Sequence, residues 1–255
     1  MERGRSRSRD ALLVLFDIDG TLLLSNRIGY RAMLRAAAQI AGRPVSLDGV
    51  DFSGRLDPEI WAGIAGLNGI ADAAGREAEF RAAYTSTLTS MLQQEAPPYA
   101  LPGVPGLIGR LRSQEGVTLG LCTGNYPQTG RLKIRAAGLD PEDFPVGAWA
   151  SDGLTRRDLP RVAMRRYEES TGSPITPRRV IVVGDTPLDI DCAHANGCVA
   201  LAVATGPAFS LEALQAYKAD LAVSDLSDTD LLIRWILNQA GSPREFSDRS
   251  QGGAL

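Results

Sequence analysis

The chain is poor in the side chains on which several kinds of catalysis depend. Its 255 residues include a single histidine, His194, and only three cysteines, none of them in a CxxC pair. A Ser-His-Asp or Cys-His enzyme would depend on that one histidine, which lies in a helical pattern beside no nucleophile motif, so this class is nearly excluded. Cys192, His194 and Cys198 lie close together in the sequence, but they lack the fourth ligand that a structural zinc site needs. Three unpaired thiols are typical of a reducing compartment and predict a cytoplasmic protein.

Long apolar runs and a large excess of one charge are also missing. No stretch approaches the roughly 20 apolar residues of a membrane-spanning helix. The net charge is −3, without the overall basic field typical of nucleic-acid binding. The start of the chain, 1–9, carries four arginines, and the end, 241–255, is polar and contains glycine, so both are expected to be disordered tails. We expect no nucleic-acid partner, no membrane partner, and a monomer or a homodimer.

What the sequence does contain is an alternation of strand and helix patterns. Six short apolar runs are predicted to be strands: 12–16, 117–122, 146–149, 180–183, 199–203 and 221–223. Helical patterns separate most of them, which predicts an α/β fold with a Rossmann-like parallel sheet and helices on both faces. Between 25 and 96 there are only helical runs, so this block is predicted to be an inserted all-helical cap domain. The core domain would then comprise 10–24 and 97–240.

Polar residues follow three of the predicted strands at their carboxyl ends, where ligands gather in a parallel sheet. The first strand is followed by Asp17 and Asp19 in FDIDGT, the second by TGN, and a later one by Asp185 and Asp189 in GDTPLDID. Carboxylates from two strands repel one another unless a cation lies between them, and Mg²⁺ is the usual cation for a few carboxylates, water and a phosphate. Each motif alone has an ordinary explanation as a turn or a helix cap. Their joint occurrence at strand ends predicts a magnesium and phosphate site.

The order of these motifs resembles that of the haloacid dehalogenase superfamily of phosphohydrolases: DxDGT, then Thr-Gly, then a basic residue, then GDxxxD. The resemblance covers about 12–237, and the helical block is similar to the C1 cap of phosphoglycolate phosphatase-like members. It implies Mg²⁺-dependent hydrolysis of a small phosphorylated metabolite through an aspartyl-phosphate. A phosphomutase or phosphotransferase of the same superfamily, and a catalytically silent phosphate-binding or receiver-type protein, are the alternatives.

The resemblance also implies a role for each residue of the motifs. Asp17 matches the nucleophile and Asp19 the general acid and base. The phosphoryl group is expected to bind at the turn after the first strand and at the TGN loop: Gly20, Thr123, Gly124 and Asn125. The metal site is expected to consist of four acidic residues: Asp17, Asp19 through its backbone carbonyl, Asp185 and Asp189. Asp189 could instead orient bound water or the basic residue.

The basic residue departs from the commonest pattern of the superfamily, which is a lysine shortly before a proline. The chain has only two lysines: Lys133 lies in the helix after TGN and Lys218 lies beyond the last motif. Neither is expected at the site. In RRDLPRVA, Arg157 is the predicted catalytic residue and Arg156 the alternative, because a guanidinium can replace the lysine charge.

The segment DFSGRLDPEI is expected to carry substrate selectivity. Asp57 followed by Pro58 predicts the start of a helix, with Asp57 as its N-cap, so that Arg55 lies on a loop between two cap helices. In similar C1-capped phosphatases this loop reaches across the mouth of the active site. Arg55 is therefore expected to bind a second anionic group of the substrate, as in phosphoglycolate.

Overall fold

The computed structural model of the protein describes residues 11–241. Its strands are β1 (Leu12–Phe16), β2 (Leu23–Leu24), β3 (Tyr99–Ala100), β4 (Val117–Cys122), β5 (Val146–Ala148), β6 (Val180–Gly184), β7 (Val199–Val203) and β8 (Leu221–Val223). Its α-helices are α1 (Ile28–Ala41), α2 (Asp57–Leu67), α3 (Glu77–Gln94), α4 (Val104–Arg112), α5 (Pro127–Ala136), α6 (Leu159–Thr171), α7 (Pro187–Ala195), α8 (Leu211–Ala216) and α9 (Thr229–Gly241). The predicted tails lie outside the described residues, except for Gly241, with which α9 ends. Within 11–241, no helix is both long and apolar enough to cross a membrane.

Six strands form one parallel sheet in the order β5-β4-β1-β6-β7-β8. Each matches a run predicted from the sequence, although β5 is one residue shorter and β6 one residue longer. β1 lies between β4 and β6, with Leu13 opposite Thr118 on one side and Val180 on the other. The predicted α/β class with a parallel sheet is confirmed.

Helices cover both faces of this sheet, and the side chains of β1 alternate between them. Leu13 and Leu15 belong to one buried cluster, and Leu12, Val14 and Phe16 belong to the other. The first cluster includes residues of α6 and α7, and the second includes residues of α4 and α9. A strand that is apolar at every position is therefore buried on both sides, as is usual in a parallel sheet.

The helices α1, α2 and α3 occupy the segment between β2 and β3. Their packing includes stacked aromatic rings: the ring centroids of Trp61 and Phe80 are 4.4 Å apart, and those of Phe80 and Tyr84 are 5.9 Å apart. β2 and β3 pair antiparallel, with Leu23 opposite Ala100, which brings the two ends of the helical segment together. These two-residue strands were not predicted. The domain boundaries at 25 and 96 stay a prediction.

Candidate active site

The polar ends of three neighbouring strands meet in one cavity of about 430 Å³. Asp17 follows β1, Thr123 follows β4 and Asp185 follows β6, and these strands are adjacent in the sheet. Most of the predicted site residues line the cavity: Asp17, Asp19, Gly20, Arg55, Gly124, Asn125 and Asp185. Thr123 and Asp189 are buried behind the lining of the cavity. Thr123 accepts a hydrogen bond from Asn125, and Asp189 accepts one from Arg156; both donors line the cavity.

Three carboxylates lie together beside this cavity. One oxygen of each of Asp17, Asp185 and Asp189 lies within 4.8 Å of the other two, and all three residues are buried. Burial raises the pKa of Asp17 to about 6, against the opposing effect of the Arg156 guanidinium. Burial, together with Asp189 and Asp17, also raises the pKa of Asp185. Oδ1 of Asp17 has no hydrogen-bond partner among residues 11–241. The cluster therefore needs more positive charge than one guanidinium provides, and its residues fit a divalent metal ion.

The cation within this cluster is Arg156, not Arg157 as the sequence predicted. Nη2 of Arg156 lies 3.1 Å from Oδ2 of Asp17 and 2.5 Å from Oδ1 of Asp189. Arg157 is 63% exposed and pairs with Asp191 at 2.7 Å. Both arginines belong to a 3₁₀ turn before α6. Successive side chains point about 120° apart in such a turn, so only one of the two can face the site.

Asp189 is engaged by protein groups through both of its oxygens. Oδ1 accepts hydrogen bonds from Nε and Nη2 of Arg156, at 3.1 and 2.5 Å. Oδ2 accepts from the backbone N–H and the hydroxyl of Thr186, at 3.0 and 2.7 Å. Asp189 therefore fits the role of orienting Arg156 better than the role of an open metal ligand.

Lys133, which was not expected at the site, is buried against Asp19. Its Nζ lies 2.6 Å from Oδ2 of Asp19 and 2.7 Å from Oδ1 of Asn125. Nδ2 of Asn125 also donates a hydrogen bond to Oδ2 of Asp19, at 3.0 Å. Burial would raise the pKa of Asp19, but the ammonium group outweighs it and holds that pKa below its ordinary value. The sequence did contain a signal, because Lys133 lies on the buried face of α5 that also carries Thr129 and Gly130.

The turn after β1 is packed closely around Asp185. Gly20 has a φ of +82°, and a Cβ at this position would lie 2.3 Å from Oδ2 of Asp185. The hydroxyl of Thr21 donates to Oδ1 of Asp185 at 3.3 Å. Glycine is needed here both for the left-handed backbone and for the close approach of the carboxylate.

Asp57 joins the helical segment to the TGN loop. It was predicted to be the N-cap of α2, but it is the first residue of that helix. Its backbone N–H donates to the carbonyl of Gly124 at 2.7 Å, and its Oδ2 accepts from the backbone N–H of Tyr126 at 2.7 Å. Burial raises the pKa of Asp57 to about 7, although Lys133 opposes this shift.

Arg55 lies at the cavity, but its guanidinium already has a partner. Nε of Arg55 lies 2.9 Å from Oδ2 of Asp51 in an exposed ion pair. Its carbonyl oxygen packs against Gly124, where a Cβ would lie only 2.1 Å from it. The carbonyl of the preceding residue, Gly54, accepts a hydrogen bond from Nη1 of Arg156 at 3.0 Å. The backbone of this loop therefore borders the site, and the expected role of Arg55 in binding a second anion stays a prediction.

Known proteins share both the motifs and the fold. Residues 12–197 match the haloacid dehalogenase-like hydrolase family. The phosphoglycolate phosphatase of Cereibacter sphaeroides is 30% identical over 190 residues, which cover 72% of this chain and 81% of that protein. CbbY from Rhodobacter sphaeroides in complex with phosphate has a similar structure (TM-score 0.66, 17% identity, 86% of this chain and 96% of that one). So does β-phosphoglucomutase from Clostridium difficile (TM-score 0.64, 16% identity, 90% and 97%). The chain belongs to the haloacid dehalogenase-like hydrolases and is an enzyme, as its motifs predicted.

Proposed function

We propose that this haloacid dehalogenase-like hydrolase is a Mg²⁺-dependent phosphatase that acts on a small phosphomonoester through an aspartyl-phosphate. The observation that carries the proposal is the setting of Asp17, a buried carboxylate at the end of a central strand. One of its oxygens lies 3.1 Å from the Arg156 guanidinium, and the other has no hydrogen-bond partner in the described part of the chain. A fixed cation beside the nucleophile stabilises negative charge on a phosphoryl group that binds there.

The arrangement supports hydrolysis in two steps, formation of the aspartyl-phosphate and its hydrolysis. In the first, an oxygen of Asp17 bonds to phosphorus while the bond from phosphorus to the leaving alcohol breaks, and Asp19 passes a proton to the leaving oxygen. In the second, Asp19 takes a proton from water that attacks phosphorus, and the bond between phosphorus and Asp17 breaks to release phosphate. Asp19 enters the cycle ionised because Lys133 lowers its pKa. The proton for the first step therefore arrives with the monoanionic form of the phosphate ester. The proton that Asp19 takes from water in the second step leaves with the phosphate, which returns Asp19 to its ionised form.

We assign the metal to Asp17, Asp185 and the backbone carbonyl of Asp19. When bound, Mg²⁺ supplies positive charge to the phosphoryl oxygens and offsets the charge of the carboxylates. Asp189, which was predicted from the sequence to be a metal ligand, orients Arg156 in this proposal. The remaining phosphoryl contacts are assigned to the loops after β1 and β4: Gly20, Thr123, Gly124 and Asn125. The first turn of α5 follows directly and adds the positive end of its helix dipole.

The name of the 30% identical relatives makes phosphoglycolate the first compound to assay. The ion pair between Arg55 and Asp51 argues against Arg55 as a ready partner for its carboxylate. A cytoplasmic setting is also proposed, and it is supported by three free and buried thiols.

The proposed function is tested by hydrolysis of p-nitrophenyl phosphate by the purified protein. We expect activity with Mg²⁺, loss of activity after EDTA, and recovery when Mg²⁺ is restored. Ca²⁺ is expected to substitute poorly, because it favours more ligands and looser geometry. Full activity after exhaustive chelation would rule out the metal requirement. Turnover that needs a bisphosphate activator would indicate a phosphomutase instead.

A further inference from the structure

The cavity has an apolar side that the proposed chemistry does not use. This side, the aromatic wall, consists of four residues from the helical segment: Tyr30, Met33, Phe52 and Ile60. The rings of Tyr30 and Phe52 lie 5.0 Å apart and are tilted by 48°. Met33 and Ile60 are buried, whereas the two rings are only partly buried. An apolar lining with a few polar groups at one end is typical of pockets that bind an organic group.

The cavity is also larger than the smallest phosphate esters require. Phosphoglycolate has nine non-hydrogen atoms, which would occupy at most ~270 Å³ even at the ~30 Å³ that each water molecule takes in the liquid. The cavity measures about 430 Å³. Such a substrate would leave the aromatic wall in contact with water, which is unfavourable for apolar surface.

Among the described residues, four cationic side chains line the cavity, and three of them are already paired. Lys133, Arg156 and Arg55 each form an ion pair with a carboxylate of the protein. Arg27 forms no ion pair within residues 11–241, and its guanidinium carbon lies 4.8 Å from the centre of the Tyr30 ring. A guanidinium in this position covers one face of a ring and adds a further flat surface for an aromatic group.

We propose that the substrate is the phosphomonoester of an alcohol that carries an aromatic ring or a similarly flat apolar group, and that the aromatic wall binds this group. The proposal rests on the proposed phosphatase function and adds the identity of the leaving group. Contacts between the ring and the wall would hold the phosphoryl group in line with Asp17, so the binding energy would increase turnover as well as affinity.

The test compares two non-hydrolysable ligands that differ only by a phenyl group. Binding of ethylphosphonate and 2-phenylethylphosphonate to the Mg²⁺-loaded protein is measured by calorimetry. We expect the phenyl compound to bind at least ~10-fold more tightly, the scale on which apolar pockets discriminate. Phe52→Ala and Tyr30→Ala should each bring this ratio close to one. Tyr217→Ala, which removes an exposed tyrosine outside the cavity, should leave the ratio unchanged.

The same comparison is then made for hydrolysis of ethyl phosphate and 2-phenylethyl phosphate, which have similar leaving groups. A ratio near one in the wild-type protein, or a ratio that neither variant lowers, would overturn the aromatic wall as a binding site. Because the wild-type ratio requires no variant, failure of one variant to fold leaves the test valid. Tight binding of the phenyl compound without hydrolysis of either ester would contradict the phosphatase function alone. Hydrolysis of both esters without preference would contradict the substrate class alone.

Discussion

Arg156 is a single side chain that touches two of the three acids in the buried cluster. Arg156→Ala should therefore lower the turnover of p-nitrophenyl phosphate by about 10²-fold or more, the usual effect of removing one donor to a developing charge. Its neighbour Arg157 is the matched control, because it forms an exposed ion pair that contributes little. Arg156→Lys should recover part of the loss, since it restores a charge without the planar fork. Steady-state kinetics on folded variants measures these effects, and equal losses for the two alanine variants would contradict the placement of the charge at Arg156.

Lys133 pairs with the carboxylate of Asp19 and also contacts Asn125. If it supports the proposed role of Asp19, the effect of removing it should depend on the leaving group. Lys133→Met should reduce hydrolysis of ethyl phosphate by about 10-fold more than hydrolysis of p-nitrophenyl phosphate, because it removes the contact that holds Asp19 in position to pass a proton. The alkyl alcohol needs that proton to leave and p-nitrophenol does not. The only other lysine, Lys218, is exposed, and Lys218→Met provides the control. The ratio of the two rates is the readout, and a loss of the same size for both esters would show that Lys133 is merely structural.

The sequence revealed the acidic residues of the site, named Arg156 only as the alternative to Arg157, and gave Lys133 no role there. Asp17 and Asp185 could be located because each follows an apolar run that is unmistakably a strand. The choice between Arg156 and Arg157 depends on the orientation of one 3₁₀ turn, which the spacing of residues does not fix. Lys133 reaches the site from the second turn of α5, and the family pattern provided no reason to look for a cation there.

At the scale of structural elements, Asp57 links α2 to the loop between β4 and α5, and its titration makes that link depend on pH. Its pKa is raised from 3.8 to about 7, so the folded state binds this proton more tightly than the unfolded state. The stabilising effect is present below about pH 4 and is lost as the pH rises through about 7. Because a shift of one pKa unit corresponds to ~1.4 kcal/mol, the free energy of unfolding falls by at most about 4 kcal/mol.

Asp57→Asn keeps an acceptor for the Tyr126 N–H and removes the titration. The free energy of unfolding of the wild-type protein, relative to this variant, should therefore fall between about pH 4 and pH 7 and then level off. Urea unfolding of both proteins across this range measures the difference. A difference that stays constant with pH would contradict a raised pKa at Asp57.

Elements with a strong apolar pattern were predicted well, and elements held by tertiary contacts were not. All six strands of the parallel sheet were found from runs of apolar residues. β2 and β3 have two residues each, which is too few for a periodic pattern. They form because the two ends of the helical segment come together and pair with each other. Ser210 caps α8, since its hydroxyl accepts from the N–H of Ala213 at 3.3 Å. Asp57 was predicted to cap α2, but its carboxylate accepts a hydrogen bond from the backbone N–H of Tyr126 instead.

At the scale of the whole molecule, the proposed metal site predicts that stability depends on Mg²⁺. Mg²⁺ that binds the folded state alone stabilises it by about 2.7 kcal/mol at 100 times its Kd. We expect a rise of several °C in the Tm of the wild-type protein with Mg²⁺, and little rise for Asp185→Asn. Asp191→Asn, which changes an exposed acid, should respond like the wild type. Thermal unfolding followed by fluorescence measures the shift without any substrate, and an equal rise for Asp185→Asn would contradict a ligand role for Asp185.

The central claim is that Asp17 is the nucleophile of a phosphatase. The most direct measurement is the rate of p-nitrophenyl phosphate hydrolysis with Mg²⁺ for the wild-type protein, Asp17→Asn and Asp191→Asn, each shown to be folded. We predict hydrolysis by the wild type, the same rate within about twofold for Asp191→Asn, and no rate above background for Asp17→Asn, because an amide cannot form the aspartyl-phosphate. Substantial activity in folded Asp17→Asn, or no activity in the Mg²⁺-loaded wild type, would contradict the account.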